Sequence, residues 1–265
     1  MSRIGMWVCA LAFALQAGYA AAAATVRSAV GDVKVVSGAA APVAVSKGQT
    51  VASGATIATG DNGRAILRFD DGQVVALHGN TSFRIDEFRF EAARPEAGSA
   101  FFSLLKGAIR AVTGLIGQRN ARLVAFRTPQ ATIGIRGTDF MMAIVNPLYL
   151  NVISGGITAE NAGGTAAFGA GQFGTVQAMN VPATTIPGSA LPAGVATAFS
   201  QLAGMELGGL AGGAASGAGA GEAGAAAGIG SGAGIAIGAG VAAGLAIGGG
   251  GGGGETPAHT TSSHH

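Results

Sequence analysis

From Thr25 onward, apolar and polar residues alternate in short runs, and turn residues interrupt them every few positions. "RAILRF" (64–69) shows the pattern most clearly. Ala65, Leu67 and Phe69 fall on one side and Arg64, Ile66 and Arg68 on the other. Such period-two alternation predicts a strand with one face in a core. "DDG" (70–72) follows, then "QVVAL" (73–77). Asp-Gly between two apolar runs predicts a hairpin, because the turn needs a positive φ that glycine adopts without steric cost. Further short strands are expected in "GDVKVVSG" (31–38), "NTSFRI" (80–85), "ARLVAFRTP" (121–129), "LYLNVISGG" (148–156), "ITAEN" (157–161) and "GQFGTVQ" (171–177).

Two stretches depart from simple alternation. "TDFMMAIVNP" (138–147) is apolar on both faces, with Phe140, Met142 and Ile144 on one and Met141, Ala143 and Val145 on the other. A strand of that kind is expected to be covered on both sides. "AFFSLLKGAIRAV" (100–112) fits two periods. Phe101, Leu104 and Leu105 have helical spacing, whereas Gly107 and the β-branched residues after it favour strand. Residues 86–99 are charged, contain Pro95 and read as a loop. "GDV" (31–33) and "GDN" (60–62) hint at a repeat too short to define one. Short strands at this spacing, with few helical patterns, predict an all-β fold: a multi-stranded roll or sandwich, or a short solenoid.

Composition divides the chain. All fifteen Lys and Arg lie between Arg3 and Arg136, and beyond Glu160 only Glu206, Glu222 and Glu255 are charged. No Lys/Arg run exists, so no nucleic-acid surface is expected. Residues 1–24 read as a secretory signal peptide: Arg3, then the apolar run "MWVCALAFAL" (6–15), then small residues, with cleavage after Ala20 or Ala24. The single cysteine, Cys9, lies inside that run, so the mature chain is expected to have no disulfide and no thiol chemistry. A β domain is expected over 25–180 and a proline-containing linker over 181–200. A Gly/Ala-rich low-complexity tail follows over 201–265. Within the tail, residues 226–247 are uncharged and long enough to span a bilayer, with small residues at four-residue spacing. Glycine is a poor helix former and no Lys or Arg follows, so a flexible tether competes with membrane association there.

The motifs of the β region resemble those of the FecR-like family. "TGDNGRAILRFDDGQVVALHGNTSFRI" is similar to that family's Thr-Gly, strand, Asp-Gly, strand and Asn-x-Ser series. "TPQATIGIRGTDFMMAI" is similar to its Thr-Pro … Gly-x-Arg-Gly-Thr-x-Phe signature, and "GITAENAGGTAAFGAGQFGTV" to its closing section. The resemblance covers about residues 30–177 and implies an extracytoplasmic β domain without catalysis. The family's founding regulators relay the state of an outer-membrane receptor to a sigma factor through a cytoplasmic segment and a membrane helix. Here a signal peptide is expected to lead straight into the β domain.

The candidate sites are few. In "TPQATIGIRGTDF" (128–140), Gly134 and Gly137 bracket Arg136, the last cation of the chain, and Thr138 follows. Arg136 would either present its guanidinium to a partner's carboxylate or clamp two strands by pairing with Asp139 or Asp71. The clamp is favoured, because an arginine within so apolar a run needs a partner when buried. Asp70, Asp71 and Gly72 are read as hairpin chemistry and not as a cation or acid–base site. His78 is the single histidine of the β region, and His259, His264 and His265 stand in a polar tail. No catalytic residue, cofactor or metal site is expected. The sequence points to a secreted or periplasmic binding module of the bacterial envelope, with a protein or glycan partner. The alternatives are a signalling relay, or a structural surface protein held by its tail.

Overall fold

The computed structural model describes residues 22–207. Most of the expected signal peptide, with Cys9, lies outside the described residues. So do residues 208–265, which include 226–247 and the three tail histidines.

The chain runs through β1 (Ala22–Val30), β2 (Val33–Ser37), β3 (Val43–Ala44), β4 (Thr50–Ala52), β5 (Ala55–Thr59), β6 (Arg64–Phe69), β7 (Val74–Leu77), β8 (Ser82–Arg89) and β9 (Ser99–Val112). After α1 (Leu115–Arg119) come β10 (Val124–Arg127), β11 (Thr132–Ile144), β12 (Leu148–Asn161), β13 (Gly164–Gly169), β14 (Phe173–Val176), β15 (Thr184–Ile186) and α2 (Ala193–Ala203). All fifteen strands join in one mixed sheet, in which β9 and β10 run parallel. The fold is thus mostly β, as the alternation predicts.

Three long strands fold that sheet onto itself. β9 turns at Gly107, β11 at Gly137 and β12 at Gly155, each with positive φ. Their halves therefore belong to two layers. The first layer runs β3-β2-β5-β8-β9-β10-β11-β12-β13, and the second runs β4-β1-β6-β7-β9-β11-β12-β14-β15. "AFFSLLKGAIRAV" is thus one bent strand. "LYLNVISGG" and "ITAEN" are two halves of another. The expected loop over 86–99 begins later than its charge suggests. A register shift between Ile85 and Glu87 lets β8 continue to Arg89, which returns Phe88 to the core.

Between the layers the apolar faces of the longer strands meet. Phe83, Phe102 and Phe126 come from the first layer, and Phe69 and Phe140 from the second; all five are fully buried. Phe102 is the hub, its ring 5.1 Å from Phe69, 5.5 Å from Phe83 and 4.9 Å from Phe126, which in turn meets Phe140 edge-on at 5.2 Å. Each such side chain contributes about 1.5–3 kcal/mol through burial, and each ring pair roughly 0.5–1.5 kcal/mol more. In β6, Ala65, Leu67 and Phe69 point inward as read from the sequence. The hairpin at 70–72 also forms, with Gly72 at φ +84°.

The outer face of the second layer is covered. Val195, Ala198, Phe199 and Leu202 form one stripe of α2 and pack on Val74, Ala76, Ala108, Met141 and Ala143. This is why β11 is apolar on both faces beyond Thr138. Residues 181–200, expected to be a linker, instead hold β15 and most of α2. Their three prolines precede the helix, and Pro192 is its N-cap. At the other end of the described chain, Ala23 and Ala24 are fully buried in β1. Of the two expected cleavage positions, the one after Ala20 leaves β1 whole.

The repeat hint also has a structural counterpart. Gly60 N donates to Asp32 O at 2.8 Å and Asn80 N donates to Gly60 O at 3.0 Å, so the turns at 31–32, 60–63 and 79–80 stack. A Cβ on Gly63 or Gly79 would strike the carbonyl oxygen of the turn below.

Candidate functional site

The stretch 128–140 carries a different role at almost every position. The Thr128 hydroxyl accepts from Ala131 N at 3.0 Å and donates to Ala131 O at 2.8 Å, which fixes the turn before β11. Ile133 and Ile135 enter the core. Gly134 lies beside Thr158, whose hydroxyl would stand 2.7 Å from a Cβ placed there. Arg136 pairs across to Gly156 and Asp139 to Ser154, so Gly137 and Thr138 face Gly155 alone. This bulge turns β11 from one layer into the other. Thr138 is buried and locked to β9. Its N–H donates to the Thr113 hydroxyl at 3.0 Å, and its carbonyl accepts from Thr113 N at 2.9 Å and from the Thr113 hydroxyl at 2.8 Å.

Arg136 is not the expected clamp. It is exposed and pairs with no acid among the described residues. Asp139 is taken by Arg110, whose Nε donates to Oδ1 at 2.9 Å and Nη2 to Oδ2 at 2.7 Å. The same guanidinium caps α2: Nη1 donates to the carbonyls of Leu202 (3.3 Å), Ala203 (3.0 Å) and Met205 (3.1 Å). Both partners are nearly buried, at 12% and 16% exposure. Hydrogen bonding to Asp139 holds the Arg110 pKa above its usual value. Strand parity explains the exchange. Arg110 shares its face with Ala108 and Val112, which α2 covers, whereas Arg136 shares its face with Thr132 and Gly134, which nothing described covers. That parity was readable in the sequence; the helix that decides its meaning was not.

Asp71 is likewise more than a turn residue. It is buried, its Oδ1 accepts from Gln73 N at 2.9 Å, and its Oδ2 lies 3.4 Å from Ile116 N. It thereby ties the β6–β7 hairpin to α1, where Gly114 leaves it room. Burial pushes its carboxyl pKa up, and burial also raises that of the more exposed Asp70. His78 Nε2 lies 2.8 Å from Gln201 Oε1, which also accepts from Arg64 Nη2 at 2.8 Å. His78 thus joins Arg64 and Arg110 in holding α2. No group of three or more His, Cys, Asp or Glu side chains placed to hold a metal occurs among the described residues, and no described helix is long and apolar enough to cross a membrane.

The candidate site is the uncovered outer face of the first layer. Cross-strand partners Arg84, Ser103, Arg127, Thr132, Glu160 and Thr165 form one row across it. Asp86 anchors the row's near end, accepting from Ser103 at 2.6 Å and pairing with Arg84 and Arg127. Arg127 also lies over the Phe101 ring at 5.2 Å. Toward β13 the face becomes bare. An open trough of about 400 Å³ runs from Arg136 over Gly155–Thr158 to Ala167–Gly169. Sequence reasoning found Arg136 but missed β13, whose "GTAAFG" shows neither alternation of charge nor a bulky run.

Comparison with known proteins agrees with the motifs. Residues 55–158 match the model of the FecR protein family, so the chain carries a FecR domain there. That family consists generally of non-catalytic signalling proteins. No curated protein matches the chain. Two crystal structures of a "putative anti-sigma factor" from Parabacteroides distasonis, at 1.65 and 2.50 Å resolution, each share 17% identity with it at a TM-score of 0.40. Each alignment covers 49% of this chain, which spans 58% of that protein's chain. β13 and α2 lie beyond residues 55–158, the stretch that matches the family.

Proposed function

We propose that this chain is a non-catalytic binding module of the bacterial envelope, periplasmic or on the cell surface, and that it meets a protein or glycan partner through the uncovered face of its first layer. The carrying observation is the asymmetry of the two outer faces. One is apolar and closed by α2. The other is polar, flat toward β13, and holds an exposed arginine with no acid partner. Extended sheet surfaces of this kind bind partners by their faces and edges. The match to the FecR family favours a second reading, in which the partner is a receptor whose state the domain relays to a separate regulator.

Site-specific photocrosslinking in living cells tests the reading. A photoreactive residue at Thr158 or Ala167 is expected to give a discrete adduct, protease-sensitive for a protein or glycosidase-sensitive for a glycan. The same residue at Ala196, exposed on α2, is expected to give none. Equal labelling from both faces, or none from the first layer, would overturn the reading. A protein adduct that changes when the receptor is loaded would favour the relay.

A further inference from the structure

The two layers have four edges, and three are blunted. β3 has two residues, and β4 and β15 have three each. Proteins protect edges by keeping them short or by placing charge or proline on them. β13 uses none of these devices. It has six residues, no charge and no proline, and it pairs only with β12. In an antiparallel ladder alternate residues turn their N–H and C=O away from the partner strand, so β13 presents the backbone groups of Thr165 and Ala167 on its outer side. Those of Gly169, at the end of the strand, are taken by Gln172, whose Oε1 accepts from Gly169 N at 2.6 Å and whose N–H donates to Gly169 O at 3.1 Å.

This open edge leads to Arg136. The register runs Arg136, Gly156, Gly169 straight across β11, β12 and β13. Neither glycine carries a side chain, and the trough over them is open. A strand added beside β13 would lie three strand spacings, about 14 Å, from β11. An arginine and a glutamate side chain extended toward each other across the trough cover that span. The acids already on this face do not serve: Asp86 is held by Ser103, Arg84 and Arg127, and Glu160 stands across from Thr132, away from the Arg136–Gly156 pair.

We propose that β13 is a docking edge for an extended peptide segment of a partner, which adds as a further strand and lays a glutamate across Gly169 and Gly156 onto Arg136. The inference rests on the binding-module reading and names the partner's chemistry. Pairing of β13 with β13 of a second copy of this chain does not meet the requirement, because β13 holds no acid to bring to Arg136. Backbone pairing would supply affinity, and the charge pair with Arg136 would select for an acidic residue at one position.

The test selects ten-residue peptides from a displayed library on the full chain. Enriched peptides are expected to combine β-branched residues with one glutamate. Binding should fall at least tenfold when that glutamate becomes glutamine, and equally when alternate peptide amides are N-methylated. Both changes sit in the peptide, so folding of the protein is not at issue. Arg136→Ala, checked by an unchanged thermal midpoint, should abolish the preference for glutamate over glutamine and leave the effect of N-methylation intact. Absence of enrichment, enrichment without an acid, or indifference to N-methylation would overturn the proposal. If photocrosslinks from Thr158 persist while the peptides fail, the partner engages the face and not the edge. If both fail, the binding-module reading falls with it.

Discussion

The two outer faces are built from the same three long strands, yet they are chemically opposite. On the second layer, β7, β9 and β11 present Val74, Ala76, Ala108, Met141 and Ala143, and α2 closes over them. On the first layer the same β9 and β11 present Ser103, Thr132, Gly134 and Arg136. The change of character falls at the glycines where each strand bends. A residue's neighbours in sequence therefore say less about its surroundings than its position relative to the bend. Arg110 and Arg136 make the point: both stand in apolar runs, but one is nearly buried in a helix cap and the other is free.

Paired substitutions break or sharpen this contrast. The largest effect is expected from phenylalanine truncation. Phe199→Ala removes the centre of the α2 contact and should cost about 3–5 kcal/mol, whereas Phe101→Ala on the uncovered face should cost about 1 kcal/mol, the loss of a half-buried ring and its contact with Arg127. Chemical denaturation of both variants measures the difference, and equal losses would mean that α2 does not seal the second layer.

Arginine truncation comes next. Arg110→Ala leaves Asp139 unpaired and three helix-terminal carbonyls uncapped, at a cost of roughly 3 kcal/mol. For a domain of this size that lowers the thermal midpoint by roughly 6–12 °C. Arg136→Ala should stay within about 0.5 kcal/mol of the parent. A large loss at Arg136 would restore the clamp reading.

The bends themselves are graded. Gly155→Ala combines φ +75° with a Cβ driven into the Gly137 carbonyl, and about 2 kcal/mol or more is expected. Gly137→Ala carries the conformational penalty alone, because no atom lies within 4 Å of its Cβ position, and should cost about 1 kcal/mol. Melting curves of the two variants should show that order.

The smallest effect concerns pH. The Asp71 carboxyl is raised in the folded state by burial, so the folded protein holds that proton more tightly than the unfolded chain. Its contribution is present at low pH and is lost as pH rises through the elevated folded value. Asp71→Asn keeps an acceptor for Gln73 N and removes this dependence. Relative to the parent, the variant should gain stability as pH rises from 4 toward neutral, by roughly 1 kcal/mol or less. A difference that does not vary with pH would show that Asp71 is not titrating in this range.

Much of the fold was legible because side-chain alternation is a local property. β6, the 70–72 hairpin and the two-sided strand beyond Thr138 follow directly from it. The candidate site was half legible. Arg136 stood out as the last cation between two glycines, and Thr138 and Asp71 were named, but their roles changed once their neighbours were known. Arg110, Thr113 and Gln201 went unnoticed because their partners lie 25 to 137 residues away.

The sequence by itself determined that this is a β protein with one apolar face per strand, where its chain turns, and which strand needs cover on both sides. These depend on the residue's own shape and its immediate neighbours. The tertiary structure alone decided that three strands bend and serve two layers, that α2 supplies the cover, and that Asp139 goes to Arg110 and leaves Arg136 exposed. Those outcomes turn on which distant segments compete for the same surface, and no local pattern encodes that competition.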